Sequence, residues 1–352
     1  MFVTAIVFIA ILGILVLIHE LGHYLVARSF GVRVEEFGFG LPPRIWGKRF
    51  TKKGTIYSIN WLPLGGFVRL AGEDDEGGKP EKGRSKNEYF WAKTKKQRTA
   101  ILLAGVTMNF LLAVGITTYL MTQGVYETAG RVHIDTVVAG SPAQLAGLKA
   151  NDIIESFKTP QDLVSFVKSK TGKPIKLTIM RSNKELSVTL TPRTIYPKGE
   201  GPTGISISDL ELKTYSLSDA PYAALKLTIS RAGDMFSGLW SLIVRIAHFQ
   251  SVGSDVAGPI GIAQVTGQAV KFGFKAVLEF MSILSLNLAV LNILPIPALD
   301  GGRVLFVFLE KILGKRIKPA FERSTHQIGM LVLFILIALI SLNDILRIAR
   351  GG

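Results

Sequence analysis

Residues 2 to 27 read FVTAIVFIAILGILVLIHELGHYLVA, and this stretch decides the fold class. It contains no Lys, Arg or Asp, and its single acid, Glu20, stands between two histidines. About 20 predominantly apolar residues suffice for a helix to cross the hydrocarbon of a bilayer, so the stretch predicts a spanning helix. It does not predict a secretory signal, because a basic leader and a small-residue cleavage site are both missing. Histidine and glutamate are costly at that depth, and intramembrane ionisable groups mark functional positions.

Three further apolar runs follow: Thr99 to Met121, Ala276 to about Leu294, and Ile328 to Leu342 with room to extend to Leu346. With 48% hydrophobic and 19% charged residues, the 352-residue chain is too apolar for a pair of soluble domains. The expected fold class is therefore a polytopic α-helical membrane protein with four transmembrane helices, assigned to 1–27, 99–122, 276–300 and 327–346. Basic residues set the orientation. Residues 28–98 carry 16 basic against 8 acidic residues and 301–325 carry 6 against 2, whereas 124–225 carry 12 against 10. The positive-inside rule then puts 28–98 and 301–325 in the cytoplasm and both termini outside. The formal charge of +15 is thereby explained by topology and by attraction to the lipid bilayer, and nucleic acid is not an expected partner.

The connections have characters of their own. Strand-like pieces at 45–50 and 55–62 are punctuated by Gly38, Gly40, Pro42, Pro43 and the Pro63-Leu64-Gly65-Gly66 turn. They predict a cytoplasmic, membrane-associated β-hairpin. It either packs under the helices or offers an edge strand to an extended substrate. Residues 73–96 read as a solvated loop. Residues 126–194 predict a small extracytoplasmic α+β module, with strands at 131–138, 175–181 and 185–190 and a helix at 162–170. Residues 221–250, apolar but interrupted by Lys226, Arg231, Asp234 and Arg245, predict an interfacial amphipathic helix rather than a fifth span. Gly258-Pro259-Ile260-Gly261 reads as a chain break.

His19-Glu20-Leu21-Gly22-His23 is H-E-x-x-H on a helix. Histidines at i and i+4 share one face and can ligate one ion, while the adjacent glutamate reaches a water on that ion as a base. Cysteine is missing from the chain, so any metal must be held by His and carboxylates, and Zn2+ is the ion such a set favours. His19 lies nine residues before Arg28, about 13 Å inside the membrane edge. A third ligand is then needed near the cytoplasmic side. Asp300 is the better candidate, since Pro295 and Pro297 break the third helix there and Gly301-Gly302 allow a tight turn; His326 stays open. For Asp300 the competing role is a helix cap on a segment starting near Arg303.

Taken together, these motifs resemble the site-2 proteases, zinc intramembrane metalloproteases, in their bacterial form with one PDZ module. The resemblance rests on the H-E-x-x-H at 19–23, Phe37-Gly-Phe-Gly40 with Pro63-Leu-Gly-Gly-Phe67, Gly258-Pro-Ile-Gly-Ile-Ala263, and Asn292-x-x-Pro-x-Pro-x-Leu-Asp-Gly301. It rests also on 139–154, which is similar to the Gly-Ser-Pro-Ala signature of PDZ domains. Two departures stand in that module: Ala150 or Asn151 where glycine is usual, and Ser156 to Pro160 in place of a Val-Asn-Gly turn, which leaves peptide capture open. The likeness implies Asp300 as third zinc ligand, Glu20 as base, and Asn292 on the substrate or the developing oxyanion. It implies substrate contacts from the 37–70 hairpin (Gly38, Gly40, Ile56, Ile59, Gly65, Gly66) and from the Pro295 and Pro297 segment. It further implies single-span substrates in the bacterial cytoplasmic membrane, anti-sigma factors or remnant signal peptides, gated by the outer module. Two rival readings are a membrane-anchored PDZ scaffold with a non-catalytic zinc site and a metal transporter. Intact Glu20 argues against the first, and the nearly featureless second and fourth spans against the second.

Overall fold

A computed structural model describes residues 2–51, 54–73, 80, 84–197, 199–248, 258–315 and 317–349. Parts of the 73–96 loop and the last two residues of the 221–250 segment fall outside them. The chain divides into two compact units, 1–120 with 218–352, and 121–217.

In the first unit, α1 (Phe2–Ser29) leads into two long strands, β1 (Val34–Arg49) and β2 (Ile56–Leu70). Both extend well beyond the expected 45–50 and 55–62, because each bends and pairs twice. Phe37 stands opposite both Val68 and Tyr57, and Phe39 opposite both Gly66 and Ile59. Residues 44–49 run antiparallel to 56–60, and 34–39 run antiparallel to 66–70. The result is a ribbon of four rungs in the order 44–49, 56–60, 34–39, 66–70.

This ribbon lies along α1. Tyr24 meets Phe37 edge to face and its hydroxyl bonds that of Tyr57 at 2.6 Å, while the Phe39 ring lies against Gly13. Eleven residues of helix separate those contacts, about 16 Å. Ile45, Trp46, Ile59, Trp61 and Leu62 are exposed on the ribbon and form an apolar surface.

α2 (Lys95–Thr122) crosses α1 closely, with Gly22 against the Ala104 carbonyl, an approach no side chain at 22 would permit. Beyond the second unit the chain returns through α5 (Ala220–Ala247), α6 (Pro259–Phe272), α7 (Phe274–Asn292), α8 (Asp300–Leu313) and α9 (Pro319–Ala349); α3 and α4 belong to the second unit, described below. Four helices among the described residues are long and apolar enough to cross a membrane: Phe2–Ser29, Lys95–Thr122, Phe274–Asn292 and Ala320–Leu346. α5 is not among them. Its Ala232, Met235 and Leu239 pack on Ala113, Leu286 and Val290. Small hydroxyls tie α7 to α2: Ser285 donates to the Asn109 carbonyl at 2.8 Å and Ser282 to the Ala113 carbonyl at 3.1 Å.

Three sequence expectations need correction here. Pro259 does not break the chain but opens α6, where its missing N–H is no loss, and the Asp344 carboxylate accepts from the Gly258 and Gly261 N–H groups. The last helix begins at 319, eight residues before the expected span of 327–346, and carries Glu322 and Arg323 in its first turns. Gly301 and Gly302 do not form a turn. They lie in the first turn of α8, where added Cβ atoms would stand 2.2 Å from the Leu294 carbonyl oxygen and 2.3 Å from that of Ile296.

The second unit is a five-stranded antiparallel sheet of β3 (Val125–Val137), β4 (Ile153–Ile154), β5 (Ile175–Arg181), β6 (Lys184–Leu190) and β7 (Ile205–Lys213), in the order β6-β5-β4-β3-β7. α3 (Pro142–Leu145) and α4 (Pro160–Ser169) complete it, capped by Ser141 and Thr159. Val132, Ile134, Ile154, Leu163, Leu177 and Ile179 form its core. Asn151 adopts φ of 68°, the conformation glycine would supply, and Asp152 is buried with both carboxylate oxygens on Arg181. The module outruns the expected 126–194: β7 lies beyond that limit and pairs with β3.

Candidate metal centre

α1 brings His19 and His23 to its α2 side, 8% and 7% exposed. α8 brings Asp300 to the same point. The loop that aims Asp300, residues 293–299, is held from several sides. Gly301 and Gly302 admit its carbonyls, Gly329 of α9 lies under Pro297, and the Ala298 N–H donates to His326 Nδ1 at 2.9 Å. Ala298 sits at φ of 81°, an unfavourable angle for a residue with a Cβ, which the surrounding contacts impose. His326 is thereby a support for the loop rather than a member of the cluster, and His133 pairs with Glu211 in the second unit.

The Nε2 atoms of His19 and His23 are 3.2 Å apart, and Asp300 Oδ2 stands 2.9 Å from the first and 3.4 Å from the second. Three lone-pair atoms converge on one point, an arrangement that repels itself unless a cation or proton lies among them. A tetrahedral site with bonds of about 2.0–2.1 Å separates its ligand atoms by about 3.3 Å. The observed triangle matches that spacing. Asp300 Oδ2 is buried and, among the described residues, accepts no hydrogen bond, as expected of an atom reserved for an ion. The residues present therefore fit a zinc ion.

Some contributions escape a reading of residue types. The Ile101 carbonyl accepts from His23 Nδ1–H at 2.8 Å, which fixes that ring's tautomer and leaves Nε2 free to ligate. Gly105 faces the two rings; a Cβ there would stand 2.5 Å from His23 Nε2 and 2.6 Å from His19 Nε2. Asn109, with no exposed surface, lies 3.3 Å from His19 Nδ1. Residues 101, 105 and 109 recur every four positions along one face of α2, and that spacing was the one available signal.

Of the other nominated residues, Glu20 is half-buried next to His19 and faces the ribbon, where a Cβ on Gly66 would lie 3.6 Å from its Cγ. Asn292 ends α7 and opens the loop to Asp300; Pro295 and Pro297 lie within that loop. Gly38 stands opposite Phe67 and Ser58, and Gly40 and Gly65 occupy the bends. Ile56 and Ile59 sit on an inner rung with partners on both sides, Glu36 and Arg49 for the first, Phe39 and Trp46 for the second. A strand already paired twice has no edge to offer.

A model of Peptidase family M50 matches residues 7–336. A Clostridium perfringens protein named as a zinc metalloprotease is 34% identical over 338 residues, covering 94% of this chain and 95% of its own. The zinc metalloprotease RasP of Geobacillus kaustophilus is 31% identical, covering 96% of each. The regulator of sigma-W protease RasP of Bacillus subtilis is 30% identical, covering 98% of this chain and 99% of its own. Spanning helices, a lone-pair triangle fit for zinc, and likeness along nearly the whole length agree: the chain belongs to peptidase family M50, the site-2 proteases, and is a membrane-embedded zinc metalloprotease.

Proposed function

We propose that this protease cleaves the membrane-spanning segments of single-span proteins, with His19, His23 and Asp300 holding the zinc and Glu20 as general base. The convergence of three lone-pair atoms beside Glu20 carries this reading. The chemistry a zinc ion supplies there is Lewis acidity, which brings a water toward a pKa of about 7 and polarises the scissile carbonyl. Glu20 takes the proton of the attacking water and returns it to the leaving amide nitrogen. The Asn292 side chain donates to the oxygen that gains negative charge.

A peptide bond in an intact helix is shielded, so the substrate must unwind locally and needs partners for its freed backbone groups. The rung 66–70 suits that task. Among the described residues it has a strand partner on one side only, 34–39, and it starts at Gly66 beside Glu20. The outer unit, read as a PDZ-like module, excludes substrates that still carry bulky outer domains, and the long helix after it lies in the interface. Basic loops orient both termini outward in the cytoplasmic membrane. The name of the Bacillus relative as a regulator of sigma-W favours anti-sigma factors as substrates, with remnant signal peptides as the alternative clients.

Cleavage of single-span reporters by the purified protein, with bound zinc quantified, tests the reading. Glu20→Gln abolishes cleavage and keeps zinc; proline at Phe67 or Val68, whichever turns its N–H outward, slows cleavage with zinc kept; deletion of 126–194 admits reporters with large outer domains. If Glu20→Gln still cuts, the base is elsewhere. A membrane-anchored scaffold with a structural zinc would instead hold zinc and cut no reporter in any form.

A further inference from the structure

The amide of Asn109 is the polar side chain that meets His19 Nδ1, at 3.3 Å, and it does so from a position with no solvent exposure. With the amide nitrogen toward the ring, Nδ1 is an acceptor, so the ring's own proton must sit on Nε2. That is the atom facing His23 and Asp300. In the same orientation the Asn109 Oδ1 is buried and, among the described residues, has no hydrogen-bond partner, an acceptor left unused where water cannot reach it. An amide's oxygen and nitrogen exchange places by a half-turn that scarcely moves a heavy atom. After that turn Oδ1 accepts from Nδ1–H, and Nε2 presents a lone pair toward the other two ligand atoms. His23 already has this pattern, with the Ile101 carbonyl as acceptor.

We propose that Asn109 is a positioning residue: its Oδ1 accepts the Nδ1 proton of His19, and so fixes the tautomer and ring angle in which His19 binds zinc. This rests on His19 being a ligand. The side chain is separable from the helix packing around it, since Ser285 bonds the Asn109 main-chain carbonyl rather than its amide. A carboxylate can do the same work as an accepting amide; an aliphatic group cannot.

Zinc affinity of the full-length protein in detergent, measured by competition with a chelator, reads the effect without reference to cleavage. Asn109→Leu and Asn109→Ala weaken zinc binding about 10–100-fold, the range found when an outer partner of a ligand histidine is removed. Asn109→Asp stays within a few-fold of wild type or binds more tightly. Melting temperatures of the zinc-stripped proteins, unchanged for at least one of the two aliphatic variants, separate ligation from folding. Wild-type affinity in that variant, or an Asp variant as weak as the aliphatic ones, overturns the proposal. His19→Ala distinguishes the two levels of the argument. If it binds zinc as wild type does, the ligand assignment fails; if it loses zinc while Asn109→Leu does not, only the role of Asn109 fails.

Discussion

α1 and α2 are each 28 residues long and each apolar enough to cross a membrane, yet only α1 displays its chemistry in the sequence. α1 supplies two imidazoles and a carboxylate. α2 supplies the Ile101 carbonyl, the vacant side-chain position at Gly105 and the Asn109 amide. Ligation and proton transfer demand scarce residue types, so type alone flags them. Room and orientation come from small residues and main chain, which are common in membrane helices for packing reasons and carry no flag.

Gly105→Ala attacks that division most directly. Alanine is the better helix former by up to about 1 kcal/mol, which offsets part of the roughly 1–3 kcal/mol that overpacking against two buried rings costs, so the fold should survive. Its methyl would stand within 2.6 Å of both Nε2 atoms, those of His19 and His23. Bound zinc is expected to fall below stoichiometric and cleavage by more than about 100-fold, since even a 1 Å displacement of a reacting group costs that much. Gly115→Ala on the same helix has, among the described residues, nothing within 4 Å of the added carbon and should match wild type in both measurements. Equal behaviour of the two variants would show that α2 is a mere spacer.

The next effect inverts the comparison. Arg98 is a charged residue of α2, but its guanidinium bonds Glu310 of α8 at 2.7 Å with both side chains nearly buried. Arg98→Met should lower stability by about 3–5 kcal/mol, because the glutamate is left buried and uncompensated. The double variant with Glu310→Met should recover most of that loss. Thermal unfolding in detergent checks both. If Arg98→Met spares stability but removes cleavage, the pair belongs to the chemistry after all.

The same division explains what was legible. Four spans, the H-E-x-x-H helix and the nomination of Asp300 follow from hydropathy and residue type, and the structure brings His19, His23 and Asp300 together. The ribbon's extra rungs were hidden because a strand that bends and pairs twice has no distinct periodicity. Gly301 and Gly302 were legible as glycines but not for their reason, which is the approach of carbonyls from a loop only a few residues upstream. Pro259 carries the same signal whether it opens a helix or ends one, and only the Asp344 carboxylate, 85 residues away, decides. β7 lay outside the expected module because its partner, β3, lies some 80 residues upstream.

Asp152, in the second unit, is a buried polar group outside the four apolar helices, and its partners are as specific as those of the α1 histidines. Burial alone would push its carboxyl up, but the Arg181 guanidinium and the Lys149 amide, both bonded to it, hold it below the usual carboxylate range. A depressed folded-state pKa contributes stability that is present above the unfolded value of about 3.9 and is lost as pH falls through the folded one. Asp152→Asn should therefore cost about 1.5–3 kcal/mol at neutral pH, the worth of a hydrogen bond to a charged group. Hydrogen exchange confined to amides of 121–217 in the full-length protein reads it. The difference from wild type should start to shrink as the pH drops below about 4, the unfolded value, and vanish only below the depressed folded value, where the native carboxylate is itself protonated. A difference that persists unchanged to low pH would assign the effect to packing rather than charge. Zinc content and cleavage of an already shortened reporter should not move, because among the described residues the side chains of this pair bond, besides each other, only Lys149 and Gly147, not His19, His23 or Asp300.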